Sequence, residues 1–127
     1  MDKAFPEDEL NPILCKGRSR DKDEHNWNIN DVLGNFSLTL VDSLDTFAVM
    51  GDHKGFENAV KLIIQHVHFN KDARVQVFEI TIRAMGALLS GHGLAIHPTL
   101  GFKLNDYQNQ LLHLAQDLGD RYAHQSY

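Results

Sequence analysis

The segment from Val75 to Leu89 is apolar at most positions, interrupted mainly by Glu79 and Arg83. A helix that is apolar nearly all round is buried on most of its sides. The pattern therefore predicts a helix from about Ala73 to Ser90 that needs neighbouring helices to cover it. The Gly91-His92-Gly93 sequence that follows predicts its end, because glycine commonly terminates helices.

Apolar residues recur at helical spacing in three further segments. They predict helices over about residues 31–50, ending at Gly51, over about 54–67, and from Asn105 onward. Strand-like alternation is absent, so the predicted class is all-α, with two helical hairpins offset by about forty residues, as in stacked α-hairpin proteins. Residues 1–30 are polar and predict a loop or extended lead-in, which leaves 31–123 as the folded part.

The overall composition excludes several classes of function. A formal net charge of −5 argues against nucleic acid as a partner. No apolar run approaches the ~18 to 20 residues of a membrane span, so no membrane span is expected. The first residues lack a secretory-signal pattern. One cysteine, Cys15, cannot form an intrachain disulfide.

Glu79 and Arg83 are the candidate site residues. At i, i+4 spacing they share one helix face, on a narrow stripe with Gln76, Gly86 and Ser90. In the structural interpretation they form an intrahelical ion pair. In the functional interpretation the stripe faces a pocket, apolar neighbours favour the protonated Glu79, and it donates a proton while Arg83 holds a substrate hydroxyl.

Other polar residues are weaker candidates. Asp42 and Asp45 lie on an otherwise apolar helix, and we expect them to be buried partners of backbone amides or of an arginine. His66 and His68 do not share a helix face, so no metal site is predicted in this chain. Asn35-Phe36-Ser37 is an N-glycosylation sequon, although it opens an apolar helix.

Several segments together resemble a known family. Residues 36–46 (FSLTLVDSLDT), followed by Met50-Gly51, resemble the first-helix signature of family 47 glycoside hydrolases, and residues 77–90 (VFEITIRAMGALLS) resemble that family's first catalytic-acid motif. Residues 4–6, 8–12, 15–18 and 30–35 are similar to the subgroup of ER degradation-enhancing α-mannosidase-like proteins. The chain is thus identified as the N-terminal part of such a protein.

The resemblance implies a fold and an activity. The fold would be an (α/α)7 barrel, with this chain forming its first hairpins, incomplete here. The activity would be inverting hydrolysis of α-1,2-linked mannose on N-glycans of misfolded glycoproteins, in ER-associated degradation in the endoplasmic reticulum. By motif position Glu79 matches the general acid and Arg83 a sugar-binding arginine. Calcium is implied as cofactor, with its ligands outside this chain.

Three functions are compatible with the sequence. The first is this mannosidase, for which we expect the 127-residue chain alone to be inactive, since inversion needs a second carboxylate. The alternative is a non-catalytic, lectin-like module that binds mannose glycans or misfolded glycoproteins. The third is a helical interaction domain without sugar specificity, which the stripe of Glu79 and Arg83 disfavours.

Overall fold

The computed structural model describes residues 3–23 and 25–125. Two short strands, β1 and β2, precede a series of helices, α1 to α7, and one π-helical turn interrupts the third long helical segment. The elements are β1 (Glu9–Asn11), β2 (Lys16–Arg18), α1 (Trp27–Asn30), α2 (Leu38–Asp42), α3 (Leu44–Val49), α4 (His53–His66), α5 (Val77–Ile80), the π turn (Thr81–Met85), α6 (Gly86–Ile96) and α7 (Gln110–Gln125).

The predicted all-α class needs one correction, which is a β-hairpin in the lead-in. β1 and β2 pair antiparallel, with Glu9 opposite Arg18 and Asn11 opposite Lys16. The side chains of Glu9 and Arg18 also form an ion pair, with 2.5 Å between Oε2 and Nη2. Strands of three residues are too short for side-chain alternation to be visible in a sequence, which is why the hairpin was not predicted.

Asp8, directly before β1, attaches the hairpin to the helices. Its carboxylate is fully buried and accepts hydrogen bonds from the backbone N–H groups of Asn35, Phe36 and Leu38, at 2.7, 2.9 and 3.1 Å. The last of these belongs to the first turn of α2, whose N–H groups have no partners inside the helix. Asp8 therefore caps α2 from a distant part of the chain. The buried Ser37 hydroxyl adds a bond of 2.6 Å to the carbonyl oxygen of Pro6.

The predicted first helix is shorter than expected and is divided. It begins at Leu38 rather than near Asp31, because Ser37 has a left-handed conformation with φ of 58°. It is interrupted at Ser43, whose hydroxyl donates to the carbonyl of Thr39, a side-chain bond that competes with the helical ladder. The end at Gly51 was predicted correctly, and this glycine has φ of 69°.

The predicted end of the third helix at Gly91 was wrong. The helical segment begins at Val77 and continues through Gly91 and Gly93 to Ile96. Gly91 is buried where helices meet, and a Cβ there would lie 2.7 Å from Cδ1 of Leu44 and 3.1 Å from Cδ1 of Leu111. The glycine thus permits close helix packing instead of terminating the helix. α4 lies within one residue of its predicted bounds, whereas α7 begins at Gln110, five residues after Asn105.

The core lies between α2, α3, α4, α6 and α7. Its fully buried large side chains are Leu33, Leu38, Leu40, Val41, Leu44, Phe56, Val60, Ile63, Ile80, Leu88 and Leu111. The helical segment 77–96 packs on this core with one side only. Its other side exposes Phe78 by 70% and Ile82 by 54%. The expectation that this helix is buried on most sides is therefore wrong for the described residues.

Candidate active site

The two candidate site residues lie where the helical segment 77–96 changes its geometry. Glu79 is in the single turn of α5, and Arg83 is in the centre of the π turn. The N–H of Gly86 donates to the carbonyl of Thr81, five residues earlier, as in a π-helix. The hydroxyl of Thr81 in turn donates to the carbonyl of Val77 at 2.8 Å. Such turns are rare and occur frequently at functional sites.

Arg83 makes its ion pair with another helix and not with Glu79. Its Nε atom lies 3.0 Å from Oδ2 of Asp42 on α2, and the two side chains are 29% and 39% exposed. The structural interpretation, an intrahelical pair of Glu79 and Arg83, is thus wrong. Asp42 was expected to be buried, which is also wrong, but an arginine as its partner is confirmed.

A second contact joins the same two helical segments. The hydroxyl of Ser90 on α6 donates to Oδ1 of Asp45 on α3. Asp45 is exposed rather than buried, contrary to expectation. The polar stripes of the first and third predicted helices therefore meet along one line. The sequence showed both stripes, but the crossing of the helices, which brings them together, depends on tertiary packing.

Glu79 differs from the acids around it. Its side chain is half-buried, and no residue in the described part of the chain forms an ion pair or a side-chain hydrogen bond with it. Phe78 and Ile82, both exposed, are its apolar neighbours along the helix. A carboxyl group without a fixed partner can accept or release a proton, and the adjacent guanidinium can donate hydrogen bonds to hydroxyl groups.

The described residues do not fit a metal centre. Within residues 3–23 and 25–125, no group of three or more histidine, cysteine, aspartate or glutamate side chains converges as a metal site would require. Calcium prefers six to eight oxygen ligands, and the acids here are engaged in pairs or lie apart. Among the same residues, no helix has the length and apolar character needed to cross a membrane.

The family model described as glycosyl hydrolase family 47 matches residues 1–125. Among curated proteins, the chain is 48% identical to ER degradation-enhancing alpha-mannosidase-like protein 1 of Schizosaccharomyces pombe, over 95% of this chain and 16% of that protein. It is 44% identical to the human ER degradation-enhancing alpha-mannosidase-like protein 3, over 94% of this chain and 13% of that protein. The chain is 42% identical to the Arabidopsis thaliana protein Alpha-mannosidase I MNS4, over 95% of this chain and 18% of that protein.

A solved structure agrees with these similarities. The alpha-1,2-mannosidase from Trichoderma reesei superposes with a TM-score of 0.72 at 26% sequence identity, and the match covers 94% of this chain and 23% of that one. The chain therefore spans less than a quarter of this structure and of the three relatives described above.

Proposed function

The chain belongs to glycosyl hydrolase family 47, and we propose that it forms the first hairpins of an (α/α)7 barrel that hydrolyses α-1,2-linked mannose. The substrates in this proposal are high-mannose N-glycans on misfolded glycoproteins, and the compartment is the endoplasmic reticulum. The names of the relatives, which refer to ER degradation and to alpha-mannosidase, support this assignment.

One observation carries the chemical part of the proposal. Glu79 is a half-buried carboxyl group without a polar partner among the described residues, although a guanidinium lies in the next helical turn and is instead paired with Asp42. Carboxylates in structural roles are normally bonded to a donor. A general acid differs from them because it must exchange its proton with the substrate during each turnover.

The proposed reaction proceeds by inversion. The Glu79 carboxylic acid donates its proton to the glycosidic oxygen as the bond from that oxygen to the anomeric carbon breaks. A water molecule attacks the opposite face of the sugar, and a second carboxylate, about 6.5 to 9.5 Å from the first, takes the proton of that water. The second carboxylate would come from a part of the barrel beyond these residues. Arg83, held by Asp42, would donate a hydrogen bond to a sugar hydroxyl.

The proposed calcium ion has no role in these steps. The described acids do not form a calcium site, and the residues of this chain can be tested without assigning one. If calcium is bound by other parts of the barrel, it would contact sugar hydroxyls there.

A chimaera tests the role of Glu79. Residues 4–121 of this chain would replace the matching segment of the S. pombe relative, and mannose release from a high-mannose oligosaccharide would be measured. We expect Glu79→Gln in this chimaera to lower kcat by about 10²- to 10⁴-fold, as for loss of a general acid. Glu57→Gln is the matched control, since Glu57 is an exposed acid on α4 that pairs with Lys61. Unchanged release by the Glu79→Gln chimaera would contradict the proposal.

The isolated chain separates this proposal from the lectin-like alternative. The purified 127-residue protein is expected to release no mannose with or without calcium, because one carboxylate cannot run an inverting reaction. Calcium-dependent release of mannose by this protein would contradict that expectation. Binding of the same oligosaccharide to the isolated chain, together with an inactive unmutated chimaera, would favour the lectin-like module.

A further inference from the structure

An open cavity lies between the lead-in, α1 and the segment that precedes α5. Its volume is about 580 Å³, within the range of about 300 to 1,000 Å³ that is usual for small-molecule sites. The residues around it that matter here are Arg20, Asp21, Trp27, Asn30, Asp31 and Arg74. The reaction proposed for Glu79 gives this cavity no role.

Hydrogen bonds hold the walls of the cavity together. Nη1 of Arg20 donates to the carbonyl oxygens of Asn30 and Arg74, at 2.8 and 2.7 Å. The buried side chain of Asn30 accepts from the N–H of Asp21 at 2.6 Å and donates to the carbonyl of Asp23 at 2.9 Å. The cavity is therefore formed before a ligand binds, which reduces the entropic cost of binding.

Trp27 supplies an apolar surface beside an ion pair. It is 54% exposed, although the guanidinium carbon of Arg74 lies 5.4 Å from its ring centroid and the ring of His25 lies 6.4 Å away. Nη2 of Arg74 is also 3.3 Å from Oδ2 of Asp31. The cavity thus combines an aromatic face with a guanidinium group and a carboxylate, which donate and accept hydrogen bonds.

This combination suits a neutral sugar better than an ion. A sugar ring has C–H groups on its faces and hydroxyl groups, which both donate and accept, at its edge, so it complements an aromatic face beside polar groups. The carboxylates of Asp21 and Asp31 disfavour an anion, and the guanidinium groups of Arg20 and Arg74 disfavour a cation.

We propose that this cavity binds sugar residues of the N-glycan that lie away from the bond to be cleaved. The identity of the glycan rests on the proposed function. The N–H of Gln76 donates to the carbonyl of Asp31 at 2.6 Å, so the cavity adjoins the start of α5, in which Glu79 lies. The five residues from Arg74 to Glu79 span at most about 18 Å, and a branched glycan of several sugar units can cover such a distance.

Trp27 provides a direct test in the 127-residue chain, because it is the only tryptophan. A high-mannose oligosaccharide would be titrated into the purified protein. We expect a saturable fluorescence change with a shift of the emission to shorter wavelength, since bound sugar displaces water from the indole. Inorganic phosphate at the same ionic strength should cause no such change. A response to phosphate and none to the oligosaccharide would identify an anion site and overturn the proposal.

Substitutions of the ion pair separate binding in the cavity from binding elsewhere. Arg74→Met and Asp31→Asn should each weaken binding of the oligosaccharide by about three- to tenfold, the effect of losing one hydrogen bond. Arg121→Met is the matched control, because Arg121 pairs with Asp117 on α7 and lies outside the cavity. Equal affinity of the unmutated chain and all three variants would contradict the proposal.

The chimaera with the S. pombe relative tests the cavity during hydrolysis. Trp27→Ala should lower kcat/KM for the high-mannose oligosaccharide by about fivefold more than for α-1,2-linked mannobiose, because the disaccharide has no further sugar residues to place in the cavity. An equal effect on the two substrates would contradict the proposal, and this comparison decides the question if the isolated chain does not fold.

Failure of this proposal differs from failure of the proposed hydrolysis. An inactive unmutated chimaera, together with the expected fluorescence change, would contradict the hydrolysis and support the cavity as a lectin-like site. An active unmutated chimaera, with no fluorescence change in an isolated chain that circular dichroism shows to be folded, would contradict the cavity alone.

Discussion

Asp8 and Glu79 both carry carboxyl groups beside the N-terminal turn of a helix and beside apolar side chains. They differ in burial and in hydrogen bonding. Asp8 is fully buried and accepts three backbone hydrogen bonds. Glu79 is half-buried and has no polar partner among the described residues. A carboxylate that holds elements together needs permanent donors, whereas one that exchanges protons must remain without them. This is the difference expected between a structural acid and the proposed proton donor.

The nearby arginines show the same difference. Nη1 of Arg20 lies 2.7 to 2.9 Å from the carbonyl oxygens of Asn30, Leu33 and Arg74, and so joins three backbone segments. Among the described residues, Arg83 makes a single side-chain polar contact, from its Nε to Asp42. The region around the hairpin is therefore fixed by many polar bonds, and the region around Glu79 by few.

The largest effect on stability is expected at Asp8. Asp8→Asn replaces one carboxylate oxygen with an NH₂ group that faces backbone N–H donors, so at least one buried donor loses its acceptor. We expect the free energy of unfolding to fall by about 3 kcal/mol, as measured by urea denaturation. Asp120→Asn is the control, because Asp120 is exposed on α7. Equal stability of Asp8→Asn and Asp120→Asn would show that Asp8 has no special structural role and so does not differ from Glu79 in this respect.

A smaller loss is expected from Arg20→Met. It leaves the carbonyl oxygens of Asn30, Leu33 and Arg74 without their shared donor, and should lower the free energy of unfolding by about 1 to 2 kcal/mol. Arg18→Met is the comparison, since it removes only the partly exposed pair with Glu9. If the two variants are equally stable, the bonds of Arg20 contribute no more than a surface ion pair.

Arg83→Met should lower the free energy of unfolding by less than Arg20→Met does. Its pair with Asp42 is partly exposed to solvent, and such pairs contribute about 0.5 kcal/mol. The loss should diminish further at high salt concentration, which screens exposed charges. A loss of stability above about 2 kcal/mol that does not depend on salt would indicate that Arg83, like Arg20, has a structural role.

The smallest effect on stability is expected from Glu79→Gln. No described residue is bonded to this carboxyl group, so the change should alter the free energy of unfolding by less than about 0.5 kcal/mol. The same substitution is expected to have the largest effect on mannose release in the chimaera. A loss of stability as large as that of Asp8→Asn would show that Glu79 has a structural role and would contradict the proposed difference between the two acids.

Local signals in the sequence were sufficient for some elements and not for others. α4 was predicted to within one residue, because Phe56, Ala59, Val60 and Ile63 form an apolar stripe within a single helix. Gly91 was misinterpreted as a helix end, because its role depends on Leu44 and Leu111, which are distant in the sequence. Helix termination and close helix packing both favour glycine, and only the tertiary structure shows which of the two applies.

The candidate site was predicted in the same uneven way. Glu79 and Arg83 were named from the motif, and their roles stay predictions. The ion pair of Arg83 with Asp42 was not predicted, since the two residues are 41 positions apart. The π turn also leaves no pattern that a period of 3.6 residues could reveal. Asp8 was not singled out, because its donors belong to a turn whose left-handed residues, Asn35 and Ser37, were not foreseen.

The buried hydroxyl of Ser37 fixes an order of events for the sequon that it completes. A transferase that recognises Asn-X-Ser must reach this hydroxyl, yet in the folded chain it is enclosed and bonded to Pro6. In a compartment that holds such a transferase, a glycan could be attached to Asn35 only before the segment around Pro6 packs against Ser37. There, folding and glycan transfer would both require the Ser37 side chain, and the faster of the two would decide whether Asn35 is modified.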